Sequence, residues 1–223
     1  MAERVTRMRA DARRNREQLV TAARQVFLEQ GVDAPLDEIA RRAGVGIATL
    51  YRRFPDRQAL IQQVMQDNLE RSRAALERAA EEHSDAWSAL VAYLHDVVDE
   101  QITLLVPVLA PNIHEELRRR GDVWSRREEV IGRFEQLVQA AKREGRLRGD
   151  VGAGDLEVWM VKVCRPIPVL TTEQNELATH RQLRVLIDGL LADTAGGPLP
   201  GTPQDGRVQL VLTGLDTHSA DAR

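Results

Sequence analysis

The sequence predicts an all-α chain, with an N-terminal three-helix unit followed by a C-terminal helical bundle. Three observations carry this. Apolar residues recur at the i, i+3, i+4, i+7 spacing of helices, with no internal repeat and no strand-like alternation before the C-terminal tail. Glycines and prolines fall between these stripes, where they end helices and make turns. With 43% hydrophobic and 29% charged residues, the chain supports a packed core and is not broadly disordered.

Leu19, Ala22, Ala23, Val26 and Phe27 form one apolar stripe, predicting a helix over about 12–30 that Gly31 stops. Pro35 suits a helix start, and Asp37 and Glu38 suit the positive end of its dipole. Leu36, Ile39, Ala40 and Ala43 line the inner face of that short helix, which ends at Gly44. Val45 and Gly46 connect it to a third helix, Ile47 to Arg53, which points Leu50 and Phe54 inward and is closed by Pro55. Asp56 caps a long helix that buries Leu60, Ile61, Val64, Met65, Leu69 and Leu76. Further helices are expected over about 85–104, in a short segment ending at Arg118–Gly121, from Trp124 to Gly145, from Leu156 to Cys164, and over about 175–192. From Thr194 the composition turns to Gly, Pro, Thr and Asp and reads as a mobile tail, 194–223, within which Val208–Leu212 has the composition to order.

Composition excludes several functions. No apolar run reaches the roughly 18–20 residues of a membrane span, and the best candidate, Ile102–Leu109, contains Pro107. The charged start has no apolar block behind it, so no secretory signal is expected. The single Cys164 excludes an intramolecular disulfide and fits a reducing cytoplasm. Gly44-Val45-Gly46 is followed by Thr49 where a dinucleotide fingerprint needs glycine, and His114-Glu115 is followed by Arg118 where a zinc-protease helix needs histidine. His83, His95, His180 and His218 are scattered, and Asp150 and Asp155 bracket a turn and read as helix caps. No catalytic residue, metal site or cofactor is therefore expected, and no membrane partner.

Charge is distributed unevenly. The chain carries −3 overall, but residues 1–60 hold 12 Arg against 8 acids, whereas the remainder is acidic by −7. A basic end points to nucleic acid. The 36–53 segment has the layout of a helix-turn-helix, whose second helix is small enough for a major groove about 12 Å wide. Its outward residues offer contacts: Arg52 and Arg53 to guanine or phosphate, Thr49 and Tyr51 to phosphate oxygens, Ile47 and Ala48 to a thymine methyl, with Arg57 following. Arg4, Arg7, Arg9, Arg13 and Arg14 form a basic arm over 1–12 and just beyond, suited to the backbone or a minor groove. A plain helical hairpin with a solvated arginine face would show the same spacing.

The string IARRAGVGIATLYRRFPDRQALI, preceded by AARQVFLEQG, resembles the DNA-binding domain of the tetracycline-repressor (TetR) family of bacterial transcriptional regulators over about residues 14–65. Ala22, Phe27, Gly31, Ile39, Ala40, Gly44, Val45, Thr49, Leu50, Tyr51, Phe54 and Leu60 fall in the family pattern. The resemblance implies that Ile47, Ala48, Thr49, Tyr51, Arg52 and Arg53 supply base and phosphate contacts and that Arg57 holds a phosphate. Two positions depart from it: Gly46 and Pro35 stand where members often have Ser, or Ser or Thr.

AAKREGRLRGDVGAGDLEVWM resembles a helix–loop–helix of the family's C-terminal domain. That resemblance implies a helical ligand-binding and dimerisation domain, pairing two subunits through helices near 155–165 and 175–192. Trp87, Tyr93, His95, Trp124, Trp159 and Met160 are then candidates for lining an effector pocket, although each also serves as core filling. The expected organisation is an arm (1–12), a helix-turn-helix domain (13–58), a helical domain (59–193) and the tail. The expected function is a homodimeric repressor, released from a palindromic operator in double-stranded DNA by a small-molecule effector. The alternative is an all-α small-molecule-binding protein or enzyme that does not bind DNA.

Overall fold

A computed structural model of the chain describes residues 2–102, 121–193 and 197–204, with side chains from residue 14 onward except at 121 and 122. These residues carry α1 (Ala2–Gln30), α2 (Leu36–Arg42), α3 (Ile47–Arg53), α4 (Arg57–Glu82), α5 (Ala86–Asp99), α6 (Gly121–Arg143), α7 (Ala153–Cys164) and α8 (Thr172–Leu190). The chain divides into two compact units, Met1–Asp67 and Asn68–Arg223. Among the described residues no helix is long and apolar enough to cross a membrane.

In the first unit, α1 is longer than its apolar stripe predicts. It starts at Ala2, so the backbone read as an arm is helical. Nothing between Ala2 and Gln30 breaks a helix, and Ala, Arg, Met and Glu all favour one. The stop is where expected: Gly31 takes φ +88°, and its N–H closes on Phe27 O at 3.0 Å. Leu19, Ala23, Val26 and Phe27 of α1 are buried, as are Ile39, Leu50, Leu60, Ile61 and Val64 from the other three helices. α2 lies against both α1 and α3.

The connection from α2 to α3 follows from one residue. Gly44 adopts φ +67°, a left-handed conformation that costs a residue with a Cβ about 1–2 kcal/mol. In that geometry the Gly44 N–H donates to Arg41 O at 3.1 Å and the Val45 N–H to Ala40 O at 3.0 Å. These two bonds satisfy the last carbonyls of α2 and turn the chain sharply into α3. Asp56 caps α4 as expected, its Oδ1 accepting the Ala59 N–H at 2.7 Å.

In the second unit α5 packs on α6, α7 and α8. It ends at Asp99, short of the predicted 104, in the same kind of turn. Gln101 N–H donates to Val98 O at 3.2 Å and Ile102 N–H to Val97 O at 2.9 Å, with Gln101 at φ +51°. The α6 stripe Val130, Ile131, Phe134, Val138 and Ala141 is buried, and Gly145 at φ +70° ends that helix. Glu144 then reaches across to the start of α5, accepting the Ala86 and Trp87 N–H groups at 2.9 and 3.1 Å. α8 opens with a capping box: Thr171 Oγ1 accepts from Gln174 N–H, and Gln174 Oε1 from Thr171 N–H.

The tail differs from its expectation over its described part. Residues 197–204 lie along residues 148–155, the loop before α7 and its first turn. Arg148 donates to Gly197 O at 3.0 Å, Asp150 accepts from Leu199 N–H at 2.8 Å, and Asp155 accepts from Gln204 N–H at 3.1 Å. The Gly154 N–H donates to Gln204 O at 3.0 Å. Composition suggested mobility because this segment has no apolar stripe; its partners are backbone groups, two carboxylates and the Arg148 guanidinium. Asp155 also caps α7 by accepting the Gly152 N–H at 2.7 Å, the role its spacing suggested. Val208–Leu212, the short helix ending near Arg120 and the break at Pro107 and Pro111 lie outside the described residues.

Candidate nucleic-acid interface

α3 has only seven residues and buries one of them, Leu50, with Phe54 buried just beyond its end. At 100° per residue, fixing Leu50 inward turns Ala48 and Arg52 away from the core and Tyr51 to its edge; these three are exposed, as is Arg53, which lies 60° from Leu50 at the last position of the helix. Tyr51 keeps 51% of its surface accessible. Ile47 and Thr49 are half-buried at the edges of this face.

The arginines of this unit divide sharply. Arg41 grips Glu38 through two nitrogens at 2.8 and 2.7 Å. Arg42 bonds Glu38 at 2.8 Å and Glu29 at 2.7 Å, bracing α2 on α1. Hydrogen bonds from both guanidinium groups hold the Glu38 carboxyl down to about 2, so it is ionised at neutral pH and, together with Glu29, balances them. Arg24 pairs with Asp67 at 3.1 Å, and Arg16 bonds Gln63 while lying 6.0 Å from the Phe54 ring centre. Among the described side chains of residues 14–67, only the arginines Arg52 and Arg53 make no hydrogen bond or ion pair. Two exposed, uncompensated guanidinium groups therefore sit on the open face of α3.

The resemblance implied a phosphate contact for Arg57. That residue is half-buried, and its Nη1 donates to Val32 O at 2.7 Å and Ala34 O at 2.5 Å. Its guanidinium is turned into the α1–α2 connection, because α4 starts directly behind those carbonyls. Spacing alone gave no sign of this, since the acceptors lie 25 and 23 residues earlier in the chain.

The candidates for an effector pocket do not share one wall. Tyr93 is buried on α5, its hydroxyl 2.8 Å from Ser72 Oγ and its ring 5.1 Å from that of Phe134. His95, two residues on, is exposed; a helix turns about 200° over two residues, so the two cannot both face the interior. Trp87 and Met160 are buried in the core. Trp124 is half-buried with the Arg127 guanidinium 5.0 Å over its ring. Trp159 lines a groove of about 710 Å³ on α7 and α8, beside Lys162, Arg181 and Val185.

The polar residues of this interior carry no signal in the sequence. Ser72, Arg127 and Glu157 are buried on α4, α6 and α7. Burial lowers the Arg127 pKa, and Glu157 acts against that by favouring the charged guanidinium; the same carboxylate raises the Tyr93 phenol, which burial already holds high. Four helices thus bring a hydroxyl or a charge into otherwise apolar surroundings. Arginines and glutamates that follow apolar residues at helical spacing look like solvated faces until the helices are packed.

Comparison with known proteins matches both units. Residues 19–64 fit the family described as bacterial regulatory proteins, tetR family, and residues 85–192 fit the C-terminal domain of SbtR-like transcriptional regulators. An HTH-type transcriptional regulator of Staphylococcus aureus (strain USA300) is 39% identical over 64 residues, 28% of this chain and 35% of that protein, so the chain matches about a third of its length. Among solved structures, the ketosteroid transcriptional regulator KstR2 of Mycobacterium tuberculosis is similar in fold at 16% identity, with a TM-score of 0.53 over 79% of this chain and 94% of that one. The TetR-like regulator LfrR of Mycobacterium smegmatis, solved with proflavine, is 23% identical with a TM-score of 0.50 over 77% and 95%.

Proposed function

Because the chain belongs to the tetR family of bacterial regulatory proteins and carries that family's helix-turn-helix domain, we propose that it is a homodimeric repressor that reads a palindromic operator and is released by a small molecule. The observation that carries this is the face of α3: Tyr51, Arg52 and Arg53 are exposed, and both guanidinium groups lack a partner among the described residues while the arginines around them are used. Arg52 and Arg53 suit guanine O6 and N7 or phosphate, Tyr51 and Thr49 suit phosphate oxygens, and Ile47 and Ala48 suit a thymine methyl. Two copies of α3 related by a two-fold axis would read half-sites spaced by one helical turn or a multiple of it.

The dimer reading is supported by α8. Only Leu183, Ile187 and Leu190 of that helix are buried, whereas Leu177 and Val185 are 61% and 73% exposed, Val185 lining the groove with Trp159. Apolar residues repeated on an open helix face suit a second copy. For the effector, the interior around Ser72, Tyr93, Arg127 and Glu157 offers a few polar anchors in apolar surroundings, which is how small-molecule sites are built. Release requires that the effector bind the DNA-incompetent dimer more tightly; equal affinity for both states would shift nothing.

The test is selection of bound fragments from genomic DNA, followed by salt titration of the recovered site. Each phosphate contact contributes about 0.9 to the slope of log K against log salt. Arg53→Ala and Arg52→Ala are each expected either to reduce that slope or to relax base preference at one position. Binding that is insensitive to salt and to both substitutions would leave the DNA-free alternative. Sedimentation should show a species of twice the 25.0 kDa chain mass.

A further inference from the structure

We infer that residues 197–204 are a strap that caps the start of α7 and ties it to the end of α8, so fixing the groove between these helices for assembly. The assembly half of this inference rests on the dimer reading above. α7 opens on half of a capping box. Asp155, its third residue, reaches back and accepts the Gly152 N–H at 2.7 Å. Gly152, the N-cap, has no side chain to accept an amide in return. The strap supplies that acceptor, because the Gly154 N–H donates to Gln204 O at 3.0 Å. The same Asp155 oxygen, Oδ2, also takes the Gln204 N–H at 3.1 Å. One residue of the strap is thus both acceptor and donor at the helix start.

Gly152 is the seat of the strap. Its backbone, at φ −101° and ψ 168°, is open to residues with a Cβ, so conformation does not call for glycine. Space does: a Cβ there would fall 1.7 Å from Gln204 O and 2.6 Å from its carbonyl carbon. A side chain at 152 that caps α7 by itself and a strap that caps it from outside exclude each other.

The strap is also tied to α8. Arg148 donates to Gly189 O at 3.4 Å and to Gly197 O at 3.0 Å. Asp150, which Arg148 grips at 2.6 Å, accepts the Leu199 N–H at 2.8 Å. The end of α7 and the start of α8 are joined by residues 165–171, where Asn175 Oδ1 accepts the Ile167 N–H at 2.8 Å. The strap closes the opposite ends. Between them lies the groove lined by Trp159, Lys162 and Val163 of α7 and Arg181, Arg184 and Val185 of α8. A groove pinned at both ends keeps its shape before a second copy arrives, which lowers the ordering cost of association.

The experiment uses two variants of the full chain. Gly152→Ala fills the seat and offers no cap; Gly152→Ser fills it and brings its own hydroxyl. Amide exchange at residues 154–156 should quicken on the order of fivefold in Gly152→Ala, the equivalent of about one hydrogen bond, and stay near wild type in Gly152→Ser. Both variants should lose residues 197–204 to protease faster than wild type. In sedimentation, both should show a dimer dissociation constant raised on the order of tenfold, since each subunit loses its tie. Wild-type exchange at 154–156 in Gly152→Ala, or equal quickening in Gly152→Ser, overturns the cap. An unchanged dissociation constant in both variants overturns the role in assembly. If Gly152→Ala does not fold, Gln204→Pro, which removes the strap's donor to Asp155, gives the same readings. If the wild type sediments as a monomer throughout, the dimer reading fails by itself, and exchange and proteolysis still decide the cap.

Discussion

Replacing Gly44 by alanine isolates the cost of the turn that aims α3. A Cβ built on Gly44 meets no heavy atom within 4 Å, so packing contributes nothing and the whole penalty is conformational. Holding a residue with a Cβ at φ +67° costs about 1–2 kcal/mol. Alanine also restricts the unfolded chain, which returns about 0.4–1 kcal/mol. The net loss is about 1 kcal/mol, or a fall of about 2–4 °C in thermal midpoint for a chain of this size. Asparagine tolerates the left-handed region better, so Gly44→Asn should fall less, and Gly44→Val more. The assay is thermal unfolding of the full chain by circular dichroism, with DNA affinity measured on the same samples. An unchanged midpoint in Gly44→Ala, or an order other than Asn, Ala, Val, would refute the reasoning. DNA affinity should fall further than stability alone requires, because the chain can relieve the strain by giving up the two closing bonds that set the α3 angle.

The same argument reverses at Gln101, which takes φ +51° at the end of α5: Gln101→Gly should raise the thermal midpoint, by roughly 0.5–1 kcal/mol of stability. A Cβ at Gly152 would fall 1.7 Å from Gln204 O, so Gly152→Ala should displace residues 197–204 and speed proteolysis of that segment in a time course against wild type. Burial pushes the Cys164 thiol up to about 12 from an ordinary 9.0, so a disulfide reagent should leave it unmodified in the native protein and react on unfolding. The sign of the linkage follows: the folded state holds the proton more tightly, so this contribution to stability is intact below about pH 9 and is lost between about pH 9 and 12, measurable as a falling urea midpoint.

Much of this architecture is written in short-range chemistry. The α2 stop at Gly44, the extent of α3 from Ile47 to Arg53, the Asp56 cap and the stripes of α1 and α6 could all be read beforehand, because each depends on residues within a turn or two of one another. The outward face of α3 was legible for the same reason: once Leu50 is inside, helical periodicity fixes what is outside.

Groups whose partners lie far along the chain were not legible. Arg57 looks like any cation at a helix start until Val32 O and Ala34 O are brought under it. Arg41 and Arg42 follow Glu38 by three and four residues, a pairing the spacing carries, but only the packing of α2 on α1 brings Glu29 to Arg42. Ser72, Tyr93, Arg127 and Glu157 come from four helices, and no local pattern marks them as neighbours. Helix periods and turns are decided by local backbone sterics, which a string of residues carries in full. Which charges are spent and which stay available is decided by long-range packing, and in this chain that difference separates the arginines that brace the fold from those open to DNA.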